Sequence, residues 1–529
     1  MRHEIAYYTR MGRGVYNLLR TPRIENPQKV VLDQMANRER HFLETVRTVV
    51  FERRQNPYFR MFQLAGCNYE DLQQGVARDG LESTLAAVHR AGVFLTHDEF
   101  KGKKAIVRSG QTIPATAASF LNPVVSGFYE SRSGGSRSAG TVTRQNLANQ
   151  MYRECQIDFM QKEFDLDHRA TIGVMPILPS AWGLSNCLRA ARHGAPYEKW
   201  YAIGGTLRDS GHYRAVTRTL VLLAKAMGAK VPLPVYLKAN DFTPAAEWIA
   251  RKRRRGVACH VRGTVSSCVR VAAAALDKGL DIEGTVFIGG GEALTDAKRQ
   301  TVESAGAQIF PTYFISEIGL IGFACRQMTA GNCVHIHRDS VAVISHRRRA
   351  PLSDFEVDSL LFTTLLPFSP RLLINAEMDD AGILGPAPCN CTYQKAGFSL
   401  QVGGIYSYGK MTGQGITLVG SDVVHILEER LPKRFGGAPG DYQLVEEETP
   451  HQTQILLRVS PRIRTTSADR IRKGFFEEVH RLYGGSLTQR HWQHTEALQV
   501  IFGEPFMTPA GKILPLHLLG RGTGGSHGS

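Results

Sequence analysis

Apolar positions in residues 1–95 recur every three to four residues, with breaks at Pro22, Pro27, Pro57 and Gly66, which predicts a run of short helices. Over 98–123 the pattern shortens to strands and turns. A loop of small and polar residues follows at 131–141 (SRSGGSRSAGT), then a helix over 144–163. The middle of the chain alternates in α/β fashion. Helices are predicted at 215–227 and 265–278, closed by Gly228 and Gly279, with a short strand at 231–237. An apolar strand at 285–288 runs into Gly289-Gly290-Gly291-Glu292. Thr295 caps a helix reaching Ala305, and 308–312 is the next strand. Strand, glycine loop, helix and strand at this spacing imply a parallel crossover, with the loop at the carboxyl ends of the strands, where ligands bind.

The pattern then changes. Strands at 416–419 and 496–501, a hairpin of 442–446 with 454–459, and helices at 422–430 and 467–482 form a small α+β domain. The glycines from Gly403 to Gly413 form a natural hinge before it. The expected organisation is a helical N-terminal region (1–95), a large α/β domain with mixed and parallel sheets (96–408), a small mobile α+β domain (409–519) and a flexible tail (520–529).

Composition narrows the class. With 43% hydrophobic and 21% charged residues the chain reads as globular. No apolar run is long enough for a bilayer, and the N-terminus lacks a signal peptide's apolar core, so a cytoplasmic location is expected. Nine cysteines, scattered and odd in number, do not form a disulfide framework. The net charge of +16 calls for an acidic partner: nucleic acid, a nucleotide, coenzyme A or an acidic carrier protein. The basic runs at 251–255 and 347–349 carry no interleaved aromatics, so they read as a solvated helix face and a basic loop rather than a nucleic-acid groove.

Four segments carry candidate chemistry. Ser133-Gly134-Gly135-Ser136 can wrap phosphates, because glycine lets the backbone approach closely. Tyr313-Phe314-Ile315-Ser316-Glu317 sits at the same sheet edge as Gly290, Gly291 and Glu292. There Tyr313 can stack a purine while Ser316 and Glu317 reach phosphate and Mg²⁺; a core tyrosine and a helix N-terminal carboxylate are the alternative. The acids of Asn375-Ala376-Glu377-Met378-Asp379-Asp380 follow an apolar strand at 372–374 and suit ribose hydroxyls or a turn. Lys512 stands in a tight turn, Pro509-Ala510-Gly511-Lys512.

In this order, the four segments resemble the adenylate-forming superfamily, most closely phenylacetate–CoA ligases and acyl-protein synthetases, over residues 120–515. The resemblance implies that the Ser133–Ser136 segment is the phosphate loop and that Gly290, Gly291 and Glu292 flank the adenine with Tyr313. It also implies Mg²⁺ on Glu317, ribose on Asp380, Lys410 near the hinge and Lys512 on the carboxylate and α-phosphate. ATP would activate a carboxylic acid as acyl-AMP, and a thiol would then take the acyl group: coenzyme A, a carrier's phosphopantetheine or a protein cysteine. Four departures from the family pattern stand out: Phe314 and Asp379 in place of glycines, Arg137 with no lysine in the phosphate loop, and no acidic residue in the hinge at 410–413. Trp182-Gly183 and Phe314 are candidates for an acyl pocket.

Cys325, His335, Cys389 and Cys391 form a Cys₃His set suited to structural zinc, with Cys333 and His337 as nearby substitutes and free buried cysteines as the alternative. Members of the phenylacetate–CoA ligase branch have a similar arrangement. Two other functions stay open: an acyl-protein synthetase acting on one protein partner, and a non-catalytic paralogue that binds nucleotide or nucleic acid.

Overall fold

Val286–Gly290 and Gln308–Ile315 pair in parallel, and Cys259–Thr264 pairs in parallel on the other side of the first. These three strands are the centre of a mixed sheet. In the computed structural model, which describes residues 2–125, 129–132, 142–178, 180–203, 211–238, 241–291, 294, 296–328, 332–349, 356–407, 410–413, 416–419, 426–437, 441–448, 453–461, 463, 467–483, 498–505 and 516–518, that sheet has twelve strands. In chain order they are β1 (Ala170–Pro176), β2 (Lys199–Ile203), β3 (Pro234–Tyr236), β4 (Cys259–Thr264), β5 (Val286–Gly290), β6 (Gln308–Ile315), β7 (Gly319–Phe323), β8 (Val334–Ile336), β9 (Val341–Arg349), β10 (Glu356–Thr364), β11 (Ala376–Pro386) and β12 (Leu400–Ser407). Their spatial order is β9-β10-β11-β12-β8-β7-β6-β5-β4-β1-β2-β3.

The parallel half, β1 to β6, is covered by the crossover helices. Thr264 ends β4 and at once caps the helix Val265–Asp277, its hydroxyl accepting from the Ser267 amide. Val265, Cys268, Val269 and Ala272 from that helix pack on Ile172, Val174, Val261 and Phe287 of the sheet, all fully buried. Each such large apolar side chain contributes about 1.5–3 kcal/mol relative to exposure. The N-terminal helices share a second core with the antiparallel half: Phe42, Val46, Tyr58 and Phe62 lie among Ile321, Leu361, Phe362 and Ile374. Contact clustering divides the chain into two compact units, of which this is the larger: residues 1–134, 142–348 and 357–407.

The smaller unit contains residues 408–529. Its strands Tyr442–Glu448 and Thr453–Val459 form an antiparallel pair, extended in parallel by Leu516–Leu518 and Leu498–Phe502. Alternate residues Ile455, Leu457 and Val459 bury one face against Ile471, Phe475 and Val479 of the helix Ala468–Tyr483. No helix among the described residues is long and apolar enough to cross a membrane.

Several elements depart from the sequence pattern. Val142–Gln145 is a strand, paired with Tyr129–Arg132, and the following helix starts only at Leu147, where Asn146 caps it. Leu372–Ile374 is not a strand; the strand starts after Asn375, at φ 49°, so the acidic run lies inside β11. Arg347–Arg349 end the sheet's outermost strand β9 rather than forming a loop. The run at 251–255 finishes the helix Thr243–Arg253 and the turn after it, with Lys252 on Glu198 at 2.7 Å and Arg251 near Glu247 at 3.6 Å, as a solvated helix face requires.

Candidate functional site

At the carboxyl edge of the parallel strands, Thr264, Gly290 and Thr312 stand side by side in register. Gly290 has to be glycine there: a Cβ would lie 2.6 Å from Thr312 Oγ1. That hydroxyl has no freedom to retreat, because it donates to the Gly289 carbonyl at 3.1 Å and accepts from Arg262 Nη2 at 3.2 Å. Gly291 follows at φ 81°, a conformation that L side chains rarely adopt, with open space where a Cβ would be. The chain therefore leaves β5 with bare backbone at the sheet edge, as phosphate or purine contact demands. Glu292 lies outside the described residues.

β6 runs on through Tyr313 and Phe314 to Ile315, because β7 folds back antiparallel on it with a bulge between Tyr313 and Phe314. Ser316 and Glu317 occupy the turn between these strands, so Glu317 is not at a helix N-terminus. Its carboxylate meets Lys101 Nζ at 2.5 Å, both side chains being mostly buried. Tyr313 is half-buried; its hydroxyl donates to Asp380 Oδ2 at 2.8 Å and its ring meets Phe362 edge-on. The structure thus joins two residues 67 positions apart in the chain, Tyr313 and Asp380, at one place. Asp379 sits at φ 59°, in the left-handed region that favours glycine, and its carboxylate lies 3.0 Å from Nδ1 of buried His97. Glu377 pairs with Arg348. The Phe314 ring carries the Arg153 guanidinium 4.6 Å from its centroid.

Sequence reasoning missed Lys101, His97, Arg262 and Thr312, which lie in no motif and come to the edge only through folding. Ser133, Gly134, Gly135, Ser136 and Lys512 lie outside the described residues. The backbone of Lys410 pairs with Val419 in a two-stranded ribbon, in the smaller unit.

A second cluster forms beside the antiparallel strands. Cys325 follows β7, His335 lies in β8 between β7 and β12, and Cys389 and Cys391 lie in the turn after β11. All four are buried, and their ligand atoms lie within 4.8 Å of one another. His335 Nε2 is 3.2 Å from both Cys389 Sγ and Cys391 Sγ, which are 3.5 Å apart. Tetrahedral zinc, with bonds of about 2.0–2.3 Å, sets its ligands roughly 3.5–3.8 Å apart. His335 Nδ1 is 2.7 Å from the Phe398 carbonyl, which fixes the tautomer and leaves Nε2 facing the sulfurs. Tyr393 stacks on the imidazole. Hydrogen bonding from Cys325, and then from His335, holds the Cys391 thiol well below the ordinary thiol range despite burial. The donor set therefore fits a closed four-ligand metal site. Cys333 and His337 are not part of it: His337 instead bonds buried Asp339, at 3.1 Å.

No family model and no curated protein matches the sequence. Solved structures do match. An adenylation–carrier protein pair, McyG A-PCP complexed with phenylalanyl-adenylate, is 12% identical with a TM-score of 0.35, over 76% of this chain and 66% of its own. The fatty acyl-adenylate ligase from L. pneumophila, in complex with acyl adenylate and pyrophosphate, is 9% identical at TM-score 0.31, over 76% and 69%. O-succinylbenzoate coenzyme A synthetase from Bacillus subtilis, with ATP and magnesium ion, is 10% identical at 0.34, over 73% and 68%. The chain spans about two thirds of the length of these proteins. TM-scores this low assign no role to any residue.

Proposed function

We propose that the chain is an AMP-forming ligase that activates a carboxylic acid as its acyl-adenylate and passes the acyl group to a thiol. The observation that carries this reading is the edge where Gly290 and Gly291 lie beside Tyr313–Glu317, with Tyr313 bonded to Asp380. Bare backbone suits the purine and phosphates, and Asp380 suits ribose hydroxyls. Ser133–Ser136 would wrap the phosphates and Lys512 would meet the carboxylate and α-phosphate, as the family resemblance implies. Mg²⁺ on Glu317 would supply charge neutralisation at the phosphates. Lys101 is the cation that balances Glu317 otherwise.

In the first step a carboxylate oxygen attacks the α-phosphorus, an O–P bond forms, and pyrophosphate leaves with its bridging oxygen. In the second, a thiol sulfur attacks the acyl carbon and AMP departs. Displacement at phosphorus needs positioning and charge neutralisation more than covalent help, which fits a site of lysine, arginine, glycine and acid residues. Coenzyme A or the phosphopantetheine of an acidic carrier protein would fit the net charge of +16. The Cys₃His set would hold structural zinc, since four protein ligands leave no open position for chemistry.

Mass detection of acyl-AMP after incubation with ATP, Mg²⁺ and a panel of aryl and fatty acids tests the reading. Acyl-AMP from one acid class, consumed on adding coenzyme A or a phosphopantetheinylated carrier, is the expected outcome. ATP turnover that yields ADP, or no ATP binding, would refute it.

A further inference from the structure

Among the described residues, Arg262 is a cation without a counter-ion. It lies in β4, next to the carboxyl edge, and is only 9% exposed. Its Nη1 reaches the Ile288 carbonyl at 3.4 Å and its Nη2 the Thr312 hydroxyl at 3.2 Å, both neutral oxygens. Among the described residues no carboxylate lies within ion-pair reach, and the guanidinium has further N–H donors that meet no described acceptor. Burial pushes its pKa down, and Arg189 adds repulsion. Such a group is costly: an isolated buried charge is several kcal/mol unfavourable unless paired. Other buried arginines of this protein illustrate the usual solution, with Arg38 on Glu82 at 2.5 Å and Arg192 on Glu154 at 2.8 Å.

The surroundings say what would complete the pair. The side chain crosses β5 towards the edge, since it meets Thr312 of β6, whose register partner is Gly290. On its other side the half-buried Trp182 ring stands 6.0 Å from its carbon centre. A flat aromatic wall and a planar fork of donors suit a carboxylate. The reacting carboxylate of an acid has to meet phosphorus beyond the strand ends at Thr264 and Gly290, where the chain leaves β5 through loops and β4 through a helix N-terminus. Arg262 springs from two residues inside the end of β4, and its guanidinium stops beside Thr312 at the sheet edge, short of those loops, which places it for the opposite end of the acid.

We propose that Arg262 binds a second carboxylate of the acid substrate, so that the chain selects dicarboxylic acids. This inference rests on the adenylation reading for its reaction but on Arg262 alone for its specificity. An unpaired buried cation makes the empty protein strained and the diacid complex relaxed. Half-esters, which end in a neutral group, leave the guanidinium unpaired and are rejected.

The test pairs straight-chain and aromatic dicarboxylic acids with their monomethyl esters in ATP–pyrophosphate exchange, using the full chain. The expected result is a diacid favoured over its half-ester by about 100-fold, falling to a few-fold in Arg262→Met and intermediate in Arg262→Lys. The comparison on the unaltered protein needs no variant, so a misfolded Arg262→Met does not spoil it. Exchange with monoacids as readily as with diacids would overturn the inference while leaving adenylation intact. Equal loss of both substrates in folded Arg262→Met and Arg262→Lys would overturn it too, by assigning Arg262 to the reacting carboxylate. If nothing exchanges, the adenylation reading fails, and thermal shift with the same diacids decides separately. A rise in melting temperature with a diacid but not its half-ester, abolished in Arg262→Met, or in Arg262→Lys should the methionine variant not fold, sustains the anion site; no such rise overturns it.

Discussion

His260 shows how a single buried side chain sets the response to acid. It is 3% exposed, its Nδ1 lies 3.3 Å from the Thr171 hydroxyl, and its Nε2 has no described partner. Burial, with Arg262 and Arg169 adding repulsion, pushes its pKa down to about 3. In the unfolded chain the same imidazole titrates near 6.5. Between these values the unfolded state takes up a proton that the folded state refuses, so stability falls as pH drops from about 6.5 towards 3. The slope from one such group is at most about 1.4 kcal/mol per pH unit. Denaturant melts at pH 7 and pH 5 should therefore show a smaller difference for His260→Gln than for the parent; equal differences would contradict the assignment. His89, packed on His346 and lowered to about 4 by burial, acts in the same direction and is the control that His260→Gln leaves unchanged. None of this was legible in the sequence, where His260 lies in a stretch, Cys259–Thr264, that the pattern assigns to no element. Burial is a property of the fold, and hydropathy alone does not reveal which histidine lacks a partner.

At the scale of elements, the glycines were readable and their partners were not. Gly289-Gly290-Gly291 announced the end of a parallel strand, and β5 ends there. The reason that Gly290 tolerates no side chain is Thr312, on a neighbouring strand and pinned from two sides. Gly290→Ala should cost about 1–3 kcal/mol in a denaturant melt, the usual penalty of overpacking; an unchanged midpoint would show that Thr312 can move aside. Asp379 was legible as a departure from a glycine pattern, but its φ of 59° and its approach to His97 were not. The acidic run was misread as following a strand because Leu372–Ile374 is apolar. That triplet is buried without sheet pairing of its own, and the strand begins only after the left-handed Asn375. Cys325, His335, Cys389 and Cys391 were legible as a set because three of them are cysteines, two of those one residue apart; the converging strands β7 and β8 and the turn after β11 bring the ligand atoms together. The purified protein should contain about one zinc per chain. A strong chelator should lower its melting temperature, and Cys389→Ser should do so without one. A chain free of metal with an unchanged melting temperature on Cys389→Ser would remove the site.

For the whole molecule, alternation of strands and helices in the middle of the chain and the change of style after the glycine stretch were readable as two kinds of fold. The twelve-stranded order of the sheet was not, because strands β7 to β12 return antiparallel through turns whose sequences carry no distinctive signal. That return is what brings Asp380 to Tyr313 and sets the N-terminal helices on the sheet. The central claim is that this edge performs adenylation, and Glu317 is its most exposed commitment. The most direct measurement is acid-dependent ATP–pyrophosphate exchange in the parent, Glu317→Ala and Lys512→Ala, with ATP binding followed by calorimetry. The account predicts exchange with one class of acid, reduced about 100-fold or more in both variants, with each variant still folded. Exchange that survives Glu317→Ala and Lys512→Ala unchanged, or no binding of ATP by the folded parent, would contradict it.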